Sequence, residues 1–143
     1  MCCDCALRHL GPGSRNGHPD VYCVCMPTAL QYQQAIASVL ARSPDSYRRM
    51  LEANFRAKNH TLTPLELAHA AGYQHVSAVN LHYGKLGARV SQELGYVPAK
   101  LSLQGRPCLT FVLANWSALR SAWVLLPEVI EALEYIGWSQ ERP

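Results

Sequence analysis

Two sets of side chains in this sequence have types and spacings that could do chemistry. The first is thiol. Five of the six cysteines fall within residues 1–25; Cys2 and Cys5 stand at zinc-knuckle spacing, and Cys23 and Cys25 form a second pair. Four thiolates would complete a tetrahedral zinc site, with His9 or His18 able to substitute. Cys23 and Cys25 have only one residue between them, which is tight for a knuckle. The expectation is therefore no metal and no other cofactor. Cys108 reads as a small buried residue at the start of a strand.

The second set is basic and amide-bearing. His82, Lys85 and Arg89 follow one another at spacings of three and four, which puts them on one flank of a helix. Cations so arranged can meet phosphates. Asn80 on the same helix, and Gln74 and His75 just before it, carry groups that hydrogen-bond to base edges. A solvated helix flank would show the same composition. A catalytic set is not visible. There is no Gly-rich phosphate loop, no nucleophile elbow and no His-Glu-x-x-His. Glu66 and Glu93 stand at opposite ends of their region, and Glu128, Glu131 and Glu134 share one face of a helix, where they serve solubility. The chain is expected to bind rather than to catalyse.

The elements that position the second set can be read from periodicity and punctuation. Tyr32, Ala35, Ile36, Val39 and Leu40 recur as one helical stripe over residues 28–41. Ser43-Pro44-Asp45 has the form of a helix start, with Ser43 as the cap and an acid near the positive end of the dipole. That helix should run to about Ala57, with Tyr47, Met50, Leu51 and Phe55 inward. Thr63-Pro64-Leu65-Glu66 is a stronger start, a Thr-x-x-Glu capping box with proline at the first helical position. Leu65, Leu67, Ala68 and Ala71 give the buried side, and Gly72 closes the helix in the left-handed conformation. Tyr73 to Val76 make a turn, and Ser77 caps a helix reaching Leu94. On a wheel of 100 degrees per residue, Val79, Tyr83, Leu86 and Val90 cluster within about 60 degrees. The opposite face, Ser77, Leu81, Gly84 and Ala88, is small enough at its two small residues for another backbone to approach.

Two short helices meeting at a glycine-closed corner make a helix-turn-helix. Leu67-Ala68 supplies the contact, and Ala78 or Val79, then Leu81, anchors the second helix. After Pro98 the period changes. Residues 100–104 alternate, Gly105-Arg106-Pro107 turn, and Cys108–Leu113 read as a strand. Ala122–Leu126 reads as a third strand and Pro127 opens a last helix, with Val129, Ile130, Leu133 and Ile136 inward. Trp116, Trp123 and Trp138 should anchor packing; Trp116 follows the second strand, where the alternative is exposure to a partner. The expected fold is α+β: a winged helix-turn-helix with three to four N-terminal helices, a small antiparallel sheet with a wing, and a C-terminal helix. Its domain is residues 26–143, after a Cys-rich leader, 1–25, expected to be disordered. The wing would be the turn at Gln104–Pro107, carrying Arg106.

Composition agrees with a globular chain: 49% of residues are hydrophobic and 16% charged. Neither a signal peptide nor a run of about 18 apolar residues is visible, so a cytoplasmic location and no membrane partner are expected. Net charge is +3, but from Tyr47 to Leu126 nine basic residues stand against three acidic ones, a net of +6. That imbalance suits a polyanion on one face; a solvated surface of mixed sign would give the same count.

The run Tyr73-Gln-His-Val-Ser-Ala-Val-Asn-Leu-His-Tyr-Gly-Lys-Leu-Gly87, preceded by Thr63-Pro-Leu-Glu-Leu-Ala68, resembles a small bacterial winged-helix-like module found in front of some HNH-type restriction endonucleases. Trp123-Val-Leu-Leu-Pro-Glu-Val-Ile-Glu-Ala-Leu-Glu-Tyr-Ile-Gly-Trp138 resembles the end of that module, so the likeness spans about residues 45–138. It implies DNA recognition, joined to a nuclease in the fused forms. The HNH segment itself is absent, so only binding carries over. Double-stranded DNA is the expected partner, contacted by Gln74, His75, Asn80, His82, Lys85, Arg89 and Arg106. The alternative is a protein-interaction module, an adaptor or inhibitor acting on a nucleic-acid enzyme.

Overall fold

The computed structural model describes residues 26–99, 105 and 108–140. It is α+β, with five α-helices and a small antiparallel sheet among those residues. In chain order these are α1 (Ala29–Ala41), α2 (Asp45–Arg56), β1 (Thr61–Leu62), α3 (Pro64–Ala71), α4 (Val76–Leu94), β2 (Ala114–Ser117), β3 (Ala122–Leu125) and α5 (Pro127–Ile136). Two 3-10 turns, Lys58–His60 and Leu109–Val112, lie between them.

Each helix is amphipathic, and its apolar stripe faces one shared core. Thr28 caps α1 through a reciprocal box with Gln31. Tyr32, Ala35, Ile36 and Val39 of α1 are buried against α4 and α5. The Tyr32 hydroxyl donates to the Val112 carbonyl at 2.6 Å, so this buried phenol is satisfied. In α2 the buried set is Tyr47, Met50, Leu51, Asn54 and Phe55. The start of α2 differs from expectation. Pro44 is the capping residue and no side chain caps the helix. Ser43 turns instead to the end of α1, where its hydroxyl donates to the Val39 carbonyl at 2.7 Å.

The sheet order is β1-β3-β2, antiparallel throughout. Thr61 faces Val124 and Leu62 faces Trp123; on the other side Ala114 faces Leu125 and Ser117 faces Ala122. The expected strand at Ala122–Leu126 is present as β3. The expected strand at Cys108–Leu113 is not: Leu109–Val112 form a 3-10 turn, and Cys108 precedes that turn instead of opening a strand. The reason lies in α4. A Cβ at Gly87 would sit 2.1 Å from the Leu109 carbonyl oxygen, so the bare glycine lets this turn press on the helix. Val112 and Leu113 reach the core from there. The partner of β3 is therefore β2, and the hairpin tip falls at Ala118–Ser121. The strand expected at 100–104 lies outside the described residues, as do Gln104, Arg106 and Pro107 of the expected wing.

Asn54 ties the sheet to the helices. It is fully buried on α2. In the amide orientation that satisfies every neighbour, its nitrogen donates to the carbonyls of His60 at 2.9 Å and Trp123 at 3.2 Å, and its oxygen accepts from the Tyr83 hydroxyl at 2.8 Å. One polar side chain thus joins α2, the turn before β1, β3 and α4.

Candidate nucleic-acid interface

The corner between α3 and α4 forms as its residues dictate. Thr63 accepts from the Glu66 backbone N–H at 3.2 Å, and the Glu66 carboxylate accepts from the Thr63 N–H at 2.9 Å. The box satisfies two N–H groups that a helix start otherwise leaves open. At the other end Gly72 adopts φ +85, a left-handed conformation, and its N–H bonds back to Ala68. Leu67, Ala68 and Ala71 face the core. Leu65, expected there too, is 56% exposed. It sits on the first turn of a helix only eight residues long, where the inward stripe is already filled.

Helix α4 begins at Val76 with His75 as its capping residue, two positions earlier than Ser77 would have set it, and no side chain caps it. Val79 is the buried anchor and Ala78 is only half-buried. Leu81 does not help to anchor the helix, being 54% exposed. Tyr83, Leu86, Gly87, Val90 and Ser91 complete the inner face. The Tyr83 phenol is held above its ordinary pKa by burial.

Arg106 lies outside the described residues, and the other six expected contact residues divide into two groups. Gln74, His75, Asn80 and Lys85 are exposed, and their side chains have no hydrogen-bond or ion-pair partner among the described residues. They lie on the turn and the first half of α4. His82 and Arg89 are turned back onto α2. The His82 ring stacks on Tyr73 with centroids 5.1 Å apart and 20° between planes. Its Nδ1 is 3.0 Å from the Tyr47 hydroxyl. Arg89 donates to the Ser43 hydroxyl at 2.9 Å and lies over the Tyr47 ring, 5.4 Å from its centroid. Burial pushes the Tyr47 phenol up, and the Arg89 guanidinium pulls it back. His82 and Arg89 thus tie α4 to α2 and to the residues flanking it. Of the residues that the reading of a basic flank brought together, only Lys85 points freely to solvent.

The small strip on α4 is covered on one side. The position closest to another backbone is Gly87, and the backbone is this chain's own, at Leu109. A Cβ at Gly84 would meet the Thr110 hydroxyl at 3.7 Å. The 3-10 turn therefore lines the second half of α4 and leaves its first half open.

Three features were missed in the sequence. Asn54 gave no signal, since a lone asparagine in a helix is ordinarily a surface residue. Leu119 and Arg120 carry no signal because the sequence pattern puts the hairpin turn at Gln104–Pro107. Short β2, Ala-Asn-Trp-Ser, has no clear alternation to mark it. The zinc candidates Cys2, Cys5, Cys23 and Cys25 lie outside the described residues, among which no cluster of three or more metal-ligating side chains occurs. A shallow groove of about 390 Å³ runs between α2, α3 and β1, but it is lined by Arg49, Glu52, Arg56 and Leu62, and Arg56 is paired with Glu52 at 3.0 Å. No helix among the described residues is long and apolar enough to cross a membrane. Comparison with family models, curated proteins and solved structures finds no match to the chain.

Proposed function

We propose that this chain is a non-catalytic winged-helix module that binds double-stranded DNA, with the first half of α4 in the major groove and the β2–β3 hairpin as its wing. The observation that carries this reading is the division along α4. Its inner face is sealed by the core and its second half by the 3-10 turn, while Asn80 and Lys85, with Gln74 and His75 before them, stand in solvent without partners among the described residues. The order α2, β1, α3, α4, β2, β3 and the sheet order β1-β3-β2 are those a winged helix would have. Gln74, His75 and Asn80 would meet base edges; Lys85 would meet phosphate. His82 and Arg89 would act by tying α4 to α2. The resemblance to modules in front of HNH-type endonucleases links the reading to restriction or defence.

Each cation–phosphate contact adds about −0.9 to the log–log salt slope, so with Lys85 on phosphate a slope of about −1 or steeper is expected. Fluorescence anisotropy with a labelled duplex at two salt concentrations measures it. Binding that weakens along that slope, and that drops in Lys85→Glu without loss of helical circular dichroism, is the expected result. No binding to any duplex at low salt refutes the reading.

A second reading has its own observation. Leu65, Val76 and Leu81 are all exposed large apolar residues on α3 and α4, and such a set suits a protein partner. Under that reading Leu81→Glu abolishes complex formation with the partner, whereas Lys85→Glu has no effect.

A further inference from the structure

Between β2 and β3 the chain turns through Ala118, Leu119, Arg120 and Ser121. Leu119 at this tip is 94% exposed, more than any other large apolar side chain described. The tip is not a loose loop. The Ser117 hydroxyl accepts from the Arg120 N–H at 3.3 Å, and Ser121 takes φ +50 to close the turn. Below it four residue pairs hold register, from Ser117 opposite Ala122 to Ala114 opposite Leu125. Trp116, itself 41% exposed, packs edge-on against Trp123 with centroids 5.1 Å apart. A stem of this kind holds the leucine out in water, at the cost of its hydration.

The register also says which end of the molecule the tip occupies. β1 runs antiparallel to β3 with Thr61 opposite Val124 and Leu62 opposite Trp123. The tip lies beyond Trp123, at the end of the sheet where β1 leaves through Leu62 into Thr63, the cap of α3. The hairpin tip and the helix pair therefore leave the sheet from the same end. Between Ala114 and Leu125 there is no acidic residue, and Arg120 adjoins Leu119. One leucine on a two-stranded tip covers far less than the roughly 800 Å² per partner of an ordinary protein interface. It does have the width to enter a groove of about 6 Å.

We propose that this hairpin tip enters the minor groove of duplex DNA, with Leu119 wedged against a base step and Arg120 on the flanking phosphates. Apolar wedges of this kind unstack a step and bend the duplex, and they work best at flexible pyrimidine–purine steps. The proposal rests on the DNA-binding reading, which already makes this hairpin the wing, and adds to it an apolar wedge and a bend.

The test measures affinity by anisotropy and bending by energy transfer on an end-labelled duplex of about 25 base pairs with a central TA step. The wild-type chain raises transfer efficiency on binding. Leu119→Ala still binds, roughly three- to tenfold more weakly, and loses the bend. Its melting temperature is unchanged, because the side chain touches so little of the fold. If Leu119→Ala binds and bends the duplex as the wild type does, the wedge is overturned and the DNA-binding reading survives. If Leu119→Ala leaves DNA binding intact but loses a protein partner, the wedge is overturned too. If the wild type binds no duplex at all, both readings fall together.

Discussion

Gly84 and Gly87 stand three residues apart on one helix, and their surroundings make them opposite cases. Glycine inside a helix costs about 1 kcal/mol relative to alanine, so a methyl group is welcome wherever it fits. At Gly84 the nearest atom to a new Cβ is the Thr110 hydroxyl at 3.7 Å, an ordinary contact. Gly84→Ala should leave stability unchanged or raise it by up to about 1 kcal/mol. At Gly87 the same Cβ would meet the Leu109 carbonyl oxygen at 2.1 Å and its carbon at 2.6 Å. Backbone cannot swing aside as a side chain can. Gly87→Ala should therefore push the 3-10 turn off α4 and cost about 1–3 kcal/mol or more, enough to cancel the propensity gain. Thermal melts of the two variants, followed by circular dichroism, check the pair. Equal melting temperatures would mean that the turn does not press on α4 as described.

At the scale of elements, the helices were legible and, β3 apart, the strands were not, and the difference is physical. A helix carries its own signal in side chains spaced by three and four, and α3 adds a capping box that needs only Thr63 and Glu66 to be recognised. Thr63→Ala removes the acceptor for the Glu66 N–H, and should cost about 1 kcal/mol. A urea titration that finds the midpoint unmoved would reduce the box to a surface ornament. Glu66 alone cannot replace it, because its bond to the Thr63 N–H leaves the Glu66 N–H open. Serines were less reliable guides. Ser43 and Ser77 both read as caps of the helix that follows, yet the Ser43 hydroxyl donates to the Val39 carbonyl of α1 and Ser77 lies inside α4. A hydroxyl can serve the helix behind it as well as the one ahead. Strands fared worst. β1 is two residues long and exists only through its partner β3. The apolar run Cys108–Leu113 has no period to separate strand from buried turn, and the glycine that settles it lies on α4, over twenty residues away. The candidate site shared this fate. Its exposed members on α4 followed from the helix period, whereas the engagement of His82 and Arg89 with Tyr47, Tyr73 and Ser43 depends on how α2 crosses α4.

The molecule as a whole folds around one core, and two phenols within it make its stability depend on high pH. Tyr32 from α1 and Tyr83 from α4 are both fully buried, far apart in sequence but in the same apolar cluster. Burial raises both above the ordinary tyrosine value near 10. A phenol is neutral while it keeps its proton, and the folded state keeps it longer than the unfolded chain does. The stabilisation is therefore complete below about pH 10 and is lost as pH climbs above it, where only the unfolded chain releases its protons. Each phenol removes about 1.4 kcal/mol per pH unit in that window. Two together would exhaust a stability of about 5 kcal/mol within about two pH units. The chain should thus unfold in one cooperative step at strongly alkaline pH, with tyrosinate absorbance from the buried pair rising as helical circular dichroism falls. Tyr32→Phe removes one of the linked protons, so the pH dependence of its unfolding free energy should be shallower, even though the Val112 carbonyl loses its donor and the variant starts from lower stability. A full-strength tyrosinate signal before any loss of helix would mean that water reaches these phenols in the native state, and that helices α1 and α4 do not share a sealed interior.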